Sequence, residues 1–222
     1  MVATHPITVA MSPCFIYITG CDGTGKTTQA NMLSDLLSTQ GIKTNHVWLR
    51  FPFFFSIPLL IYARLFGFSW YEMNNGIRHG YWDFRSSWLL RTCFPWFLLV
   101  DAALTALVKI YLPLWSGRSI ICERFVLDMI VDLMVAFADS RFHQRLPGKF
   151  FLGLLPPQSK VFLLDLDAHT IRQRRPELET DRNLMARLKF YRILVGDLPL
   201  QAFSSMLPTK QINSLIFEAI TD

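Results

Sequence analysis

The residues Gly20-Cys21-Asp22-Gly23-Thr24-Gly25-Lys26-Thr27-Thr28 satisfy the pattern G-x-x-x-x-G-K-[ST] at every fixed position. Such a loop turns successive backbone N–H groups inward around a polyphosphate. Gly20, Gly23 and Gly25 permit the tight turns that this requires. Lys26 then reaches the β- and γ-phosphates as a mobile charge, and the Thr27 hydroxyl can ligate Mg²⁺. The pattern predicts a nucleoside triphosphate site, with the positive end of the following helix aimed at the anion.

Three further groups could act on phosphate. Glu123-Arg124 stands at the end of an apolar run, Arg118-Ser-Ile-Ile-Cys122. Glu123 could hold a Mg²⁺-bound water or accept a proton, and Arg124 could span donor and acceptor phosphates; the alternative is a salt-bridged pair capping a helix. Arg50 follows the run Thr44–Leu49 and precedes Phe51-Pro52, a position at the rim of an open α/β sheet. It could hold an acceptor's phosphate or be a surface arginine beside a proline turn. Arg172 to Arg182 carries arginines on both sides of Pro176, including Arg174 and Arg175. A flap closing on phosphates and a solvated charge run both fit that pattern, and the proline break favours the flap.

Elements that could position these groups are legible. Cys14–Thr19 reads as a buried strand before the glycine loop. Ala30, Leu33, Leu36 and Leu37 recur at helical spacing until Gly41. Strands are expected at Thr44–Leu49, Arg118–Cys122, Lys160–Leu164 and Gln201–Leu207. Val126, Met129, Ile130, Leu133, Met134 and Phe137 mark one helix face, Asp167 fits the N-cap of another, and helices are expected over 181–196 and 211–220. Residues 57–115 read as two or more helices around a polar, aromatic loop, Trp70 to Arg85, whose Arg78, His79 and Arg85 could touch a substrate. Alternating strands and helices predict an α/β fold, a parallel sheet flanked by helices.

The chain has 222 residues, enough for a single α/β domain over 1–222, with 1–12 a loose extension and Met11 a candidate second start. The formal charge of +5 suits acidic ligands, but no long basic run points to nucleic acid. Cys14, Cys21, Cys93 and Cys122 fall singly, as reduced thiols in a cytoplasmic protein do. No secretory signal is expected at the start. Between Phe51 and Trp115 the apolar content is high, but prolines at 52, 58, 95 and 113 and the charges Asp101 and Lys109 argue against a clean membrane span. Buried helices, a homodimer face or peripheral contact with lipid are the expectations there.

These landmarks together resemble the thymidylate kinase family of nucleoside monophosphate kinases. The resemblance is carried by Gly20 to Thr28 with Asp at its third position, by Leu49-Arg50-Phe51-Pro52, by Glu123-Arg124-Phe125, and by Arg172 to Arg182 followed by a helix bearing Arg187 and Tyr191. It implies a three-layer P-loop NTPase fold with a short arginine-rich lid over 172–182. It also implies transfer of the γ-phosphoryl of ATP to a nucleoside 5′-monophosphate, with dTMP the leading acceptor. On this resemblance Gly20 to Thr28 hold the donor phosphates, and Thr27 and Glu123 serve Mg²⁺. Asp22 lies near the acceptor sugar and orients Arg50, Phe51 adjoins the acceptor, Arg124 bridges the phosphates, and Arg174 and Arg175 close over them. The chain departs from the family at Leu99–Ala103, where a thymine-reading Phe and Arg are usual, at Glu123 in place of Asp, and at Phe125 in place of Tyr. A different acceptor, apolar or membrane-held, is therefore the second reading. A nucleotide-dependent switch or motor is a third, weakened because the chain has no Asn-Lys-x-Asp and because Asp165-Leu166 replaces a strand-end Asp-Glu.

Overall fold

The computed structural model describes residues 12–221 apart from 52 and 75. The expected extension over 1–12 lies outside the described residues except for Ser12, and so do Met11 and Pro52.

Five parallel strands form one sheet: β1 (Phe15–Thr19), β2 (Thr44–Trp48), β5 (Ser119–Glu123), β6 (Lys160–Asp165) and β7 (Gln201–Ser204). Of these, β1, β5 and β6 are mainly apolar runs, and β2 and β7 mix polar with apolar residues. Their spatial order is β2-β5-β1-β6-β7, so β1 is the central strand. A strand buried on both faces reads as a near-continuous apolar run, and all five residues of β1 and of β5 are buried, with Thr19, Ser119 and Glu123 only at the strand ends. Alternate side chains serve opposite cores. Phe15 and Tyr17 join Ile120, Cys122, Val161 and Leu163 on one side, while Ile16 and Ile18 join Ile121, Phe162 and Leu164 on the other.

Helices cover both faces. Ala30, Leu33 and Leu37 of α1 (Lys26–Thr39) and Ile212, Ile216 and Ile220 of α9 (Thr209–Thr221) close the second core. The first lies under α3 (Trp88–Ala106), α5 (Val126–Phe137) and α8 (Leu184–Asp197). The remaining helices are α2 (Ile57–Leu65), α4 (Leu112–Trp115), α6 (Leu146–Leu152) and α7 (Ala168–Arg174). The result is an α/β fold with a parallel sheet between helical layers, as the alternation predicts. Asp167 caps α7 as expected, its carboxylate accepting from the Thr170 amide at 2.9 Å.

Two expectations for the apolar region change. The stretch expected as a loop from Trp70 to Arg85 is an antiparallel hairpin of β3 (Ser69–Asn74) and β4 (Ile77–Trp82). Asn75-Gly76 is the turn signal, and Gly76 takes the positive φ (77°) that a two-residue hairpin turn demands. Trp70 faces Tyr81 across the pair, with ring centroids 5.9 Å apart. Secondly, Pro95 and Pro113 do not interrupt the following helix. From Trp88 to Trp115 the chain is continuously helical, with a π turn over Leu107–Tyr111, and this stretch is long and apolar enough to cross a membrane by length and composition.

Candidate functional site

The carboxyl ends of β1, β2 and β5 converge on one rim of the sheet, where open α/β sheets bind ligands. The glycine loop leaves β1 there. Gly20 has φ 137°, and a Cβ on it would lie 2.4 Å from the Leu164 carbonyl oxygen, so no side chain fits. At Gly23 the added carbon would meet the Arg175 side chain at 3.0 Å, which shows how closely that arginine lies over the loop. Asp22, Gly23, Thr24, Gly25, Lys26, Thr27 and Thr28 line a cleft of about 550 Å³ together with Arg50, Glu123, Arg124, Arg174 and Arg175. Gly20 and Cys21 sit beneath it. Burial pushes the Cys21 thiol up to about 12, so it is no nucleophile at neutral pH.

Lys26 is buried, and its ammonium donates to the carbonyl oxygens of Gly20 at 2.8 Å and Cys21 at 2.7 Å. Burial and the like charge of Arg124 bring it down to about 8, against the pull of Asp22 and Asp128. Thr27 donates its hydroxyl to the Glu123 carboxylate at 2.6 Å, and the other Glu123 oxygen lies 2.7 Å from His46 Nε2. The two residues predicted as metal partners are thus in contact. A hydroxyl beside a carboxylate is the hard oxygen set that suits Mg²⁺ held through water. His46, from the middle of β2, was missed because a lone histidine in a short strand carries no signal of its own.

The alternative of a Glu123–Arg124 ion pair is not what forms among the described residues: Glu123 turns to Thr27 and His46, and Arg124 turns to Asp22 and Asp128. Arg124 adopts φ 59°, a left-handed conformation rare for a residue with a side chain and frequent at functional sites. Its guanidinium is buried and is held by Asp22 and by Asp128. It therefore forms a salt-bridged group and also faces the cleft. Asp128 also accepts from Tyr17 (2.6 Å), Thr19 (3.0 Å), Tyr191 (2.8 Å) and the Phe125 amide (3.1 Å). Burial first, and then the Asp128 charge, raise both phenols well above their usual range, so they stay donors.

One helical turn on, Asp132 accepts from Arg187 at 3.1 Å, and Asp181 holds the same guanidinium at 2.8 Å. The signal that could have found this array is positional: Arg124, Asp128 and Asp132 are spaced four apart, and the two acids interrupt a helix that is otherwise apolar all round.

Burial pushes the Asp22 carboxyl up, but Arg124, Lys26 and Arg50 outweigh that and bring it down to about 2. Arg50 stands just past β2, as expected. Its terminal nitrogens lie 3.6 Å from Asp22 and 3.7 Å from Asp132. Its Nε is buried and finds no hydrogen-bond partner among the described residues. A cation held loosely between two acids, with a donor to spare, fits an anion.

Arg50 also lines a second cavity, of about 310 Å³, with Phe51, Tyr71, Trp82, Asp132, Asn183 and Arg187. Phe51 stacks on Phe53 at 5.1 Å and meets the Trp82 ring edge-on at 5.2 Å. Tyr71 and Trp82 come from the hairpin and so were absent from a reading that expected a loop. Arg78, His79 and Arg85, which that reading favoured, line neither cavity. Arg78 stacks over Tyr71, His79 contacts Thr180, and Arg85 pairs with Asp83.

From Arg172 to Arg182, Arg174 and Arg175 reach the cleft. Arg174 donates to the Ser205 carbonyl at 3.0 Å, and Arg175, half exposed, lies 3.1 Å from Glu177. Arg182 instead pairs with Glu72 on the hairpin. Asp101, in the segment where a thymine-reading pair is usual in the resembled family, is buried. It accepts from the amides of Phe54, Phe55 and Ser56 and so holds the start of α2. No family model and no curated protein matches the chain.

Proposed function

We propose that the protein is an ATP-dependent phosphotransferase of the thymidylate kinase type, with a P-loop at Gly20–Thr28 and an arginine lid over 172–182. The γ-phosphoryl of ATP passes to a nucleoside monophosphate, dTMP first among the candidates. The observation that carries this reading is the junction of two cavities at Arg50. One is lined by the glycine loop and five cationic side chains, the other by aromatic rings. A donor and an acceptor that share one guanidinium bring their phosphates to the same point.

The chain's own residues supply position and charge, which is most of what phosphoryl transfer asks of a protein. The loop amides and Lys26 hold the triphosphate. Arg50, standing between Asp22 and Asp132, takes the acceptor's phosphate. Arg124, locked by Asp128 and Asp22, projects charge toward the transferring group, while Arg174 and Arg175 cover it from the far side. Thr27 and Glu123 would hold Mg²⁺, which neutralises phosphate charge when bound. Asn183 and the Phe51–Trp82 rings fit a flat base better than a flexible chain.

A panel of nucleoside monophosphates with ATP and Mg²⁺ tests the proposal. ADP release should accelerate with one or a few of them, dTMP foremost. Release no faster with any monophosphate than with buffer would remove the nucleotide acceptor. A second reading, a kinase of the same fold acting on an apolar or membrane-held acceptor, is favoured by Val135 and Ala136 in the second cavity, and it predicts silence across that panel.

A further inference from the structure

The helical stretch from Trp88 to Trp115 is apolar on both sides. Leu90, Phe94, Leu98, Ala102, Ala106 and Ile110 are fully buried against the core. Phe97, Val100, Leu104, Val108 and Leu112 form the opposite, exposed stripe. A helix that is apolar all round needs cover on both sides. Asp101, by capping α2, sets that helix beside the stripe, and α2 contributes its own exposed row, Ile57, Ile61 and Leu65, with Phe54 at its start. This area exceeds the scattered apolar residues of an ordinary surface.

Three observations select what covers it. The first is topology. The stretch joins β4 to β5; β5 pairs with β1 and β2, and the Phe84 amide bonds the Ala136 carbonyl at 2.9 Å. Spanning a bilayer would put these partners on opposite sides and strip the buried stripe from the core. The helix, roughly 42 Å long at 1.5 Å per residue, can only lie along a surface. The second is charge. Residues 53–68 and 88–118 contain Arg64, Arg91, Lys109 and Arg118, and their single acid, Asp101, is buried. In a two-fold dimer this patch would meet itself, setting cations against cations with no exposed acid to answer them. The third is the pair of tryptophans: Trp88 at one end is 76 % exposed and Trp115 at the other 70 %. Indoles flanking an apolar stripe suit the headgroup layer.

We propose that the outer face of α2 and of the 88–115 helix seats the protein on an anionic lipid bilayer, lying in the interface without crossing it. The phosphate-handling residues lie on another element set, so docking is independent of phosphoryl transfer. The test is sedimentation of the full chain with vesicles of phosphatidylglycerol and phosphatidylcholine, against vesicles of phosphatidylcholine alone. Binding should be at least about tenfold stronger to the anionic vesicles, weaken with salt, and fall by about tenfold or more in V100D/L104D.

Brominated phosphatidylcholine in the anionic vesicles should quench the wild-type tryptophan fluorescence, with less quenching in Trp115→Phe. That readout stands even if the double variant misfolds. Wild-type protein that stays in the supernatant with both vesicle types would overturn the proposal. So would a dimer that light scattering shows dissociating in V100D/L104D while vesicle binding is unchanged.

Discussion

The two cavities that share Arg50 are built in different ways. The larger one is built on one contiguous loop and on residues at strand ends, with Arg174 and Arg175 at the end of α7 and the start of α9 closing its far side, so the sheet places Asp22, Lys26, Glu123 and Arg124 within reach of one another. The smaller draws on Arg50 and Phe51, the hairpin, α5, Asn183 and, from α8, Arg187, brought together by the packing of helices and hairpin rather than by the sheet. Charge differs as well. The first is lined by five cations around the glycine loop, while the second combines aromatic walls with the Asp132–Arg187 ion pair. A position fixed by hydrogen-bonded strands tolerates little change. One fixed by side-chain packing can be altered without disturbing the other, so donor handling and acceptor choice are separable in this molecule.

The largest expected effect lies in the first cavity. Lys26→Ala removes the cation that the loop encloses, and turnover should fall by about 10³-fold with every acceptor, as loss of one electrostatic stabiliser does. Steady-state rates of ADP release check it; a rate within a few-fold of wild type would place the chemistry elsewhere. Arg124→Ala should lower kcat by about 10²-fold with ATP affinity little changed. The same variant leaves Asp128 buried without its cation, so stability should drop by about 3 kcal/mol. Isothermal titration with ATP and a thermal melt separate the two effects. Equal loss of kcat and ATP binding would reduce Arg124 to a structural strut.

In the second cavity, Trp82→Ala removes an aromatic wall that does not touch the first. The acceptor's KM should rise by about 30-fold, within the range that hydrophobic pocket contacts command, while KM for ATP stays put. Equal changes in both would show the cavities to be one site and break the comparison.

The same contrast decides how much could be read beforehand. Parallel strands announce themselves because a strand buried on both faces reads as a near-continuous apolar run, and the glycine loop because its spacing is dictated by backbone geometry. The runs of β1, β5 and β6 and the approach of the β5 end to the glycine loop follow from those rules. By contrast, β2 and β7, which are largely not buried, rest on the alternation of strand and helix, and the cap at Asp167 on its side chain. The hairpin was hidden because Trp70-Tyr-Glu-Met has few β-branched residues to advertise a strand, although Asn75-Gly76 offered the turn. Asp128 and Asp132 were hidden by their apolar neighbours: a reading that follows the hydrophobic face of α5 passes over the acids within it. The prolines within Trp88 to Trp115 argued against a clean span, yet the helix is continuous, and Pro113 falls in the first turn of α4, where its missing N–H matters least. Acceptor-side positions belong to long-range packing, for which no local pattern exists.

The smallest effect concerns protons. Lys26 is ordinarily charged to 10.5, and burial with the nearby Arg124 brings it to about 8 in the folded chain. Between those two values the unfolded chain binds more protons, so the destabilisation from enclosing this ammonium, full below pH 8, fades as pH rises toward 10.5, and stability gains. A triphosphate beside the ammonium acts in the opposite sense, because its negative charge favours the protonated form and raises the bound-state value. ATP affinity should therefore be flat below about pH 8 and weaken above it, by up to about tenfold per unit. Titration calorimetry in buffers of different ionisation enthalpy should register proton uptake on binding at pH 9 and none at pH 7. Lys26→Arg keeps its charge across this range and should flatten the profile. An unchanged slope in that variant would assign the titration to another group and leave Lys26 with no special part in holding the phosphates.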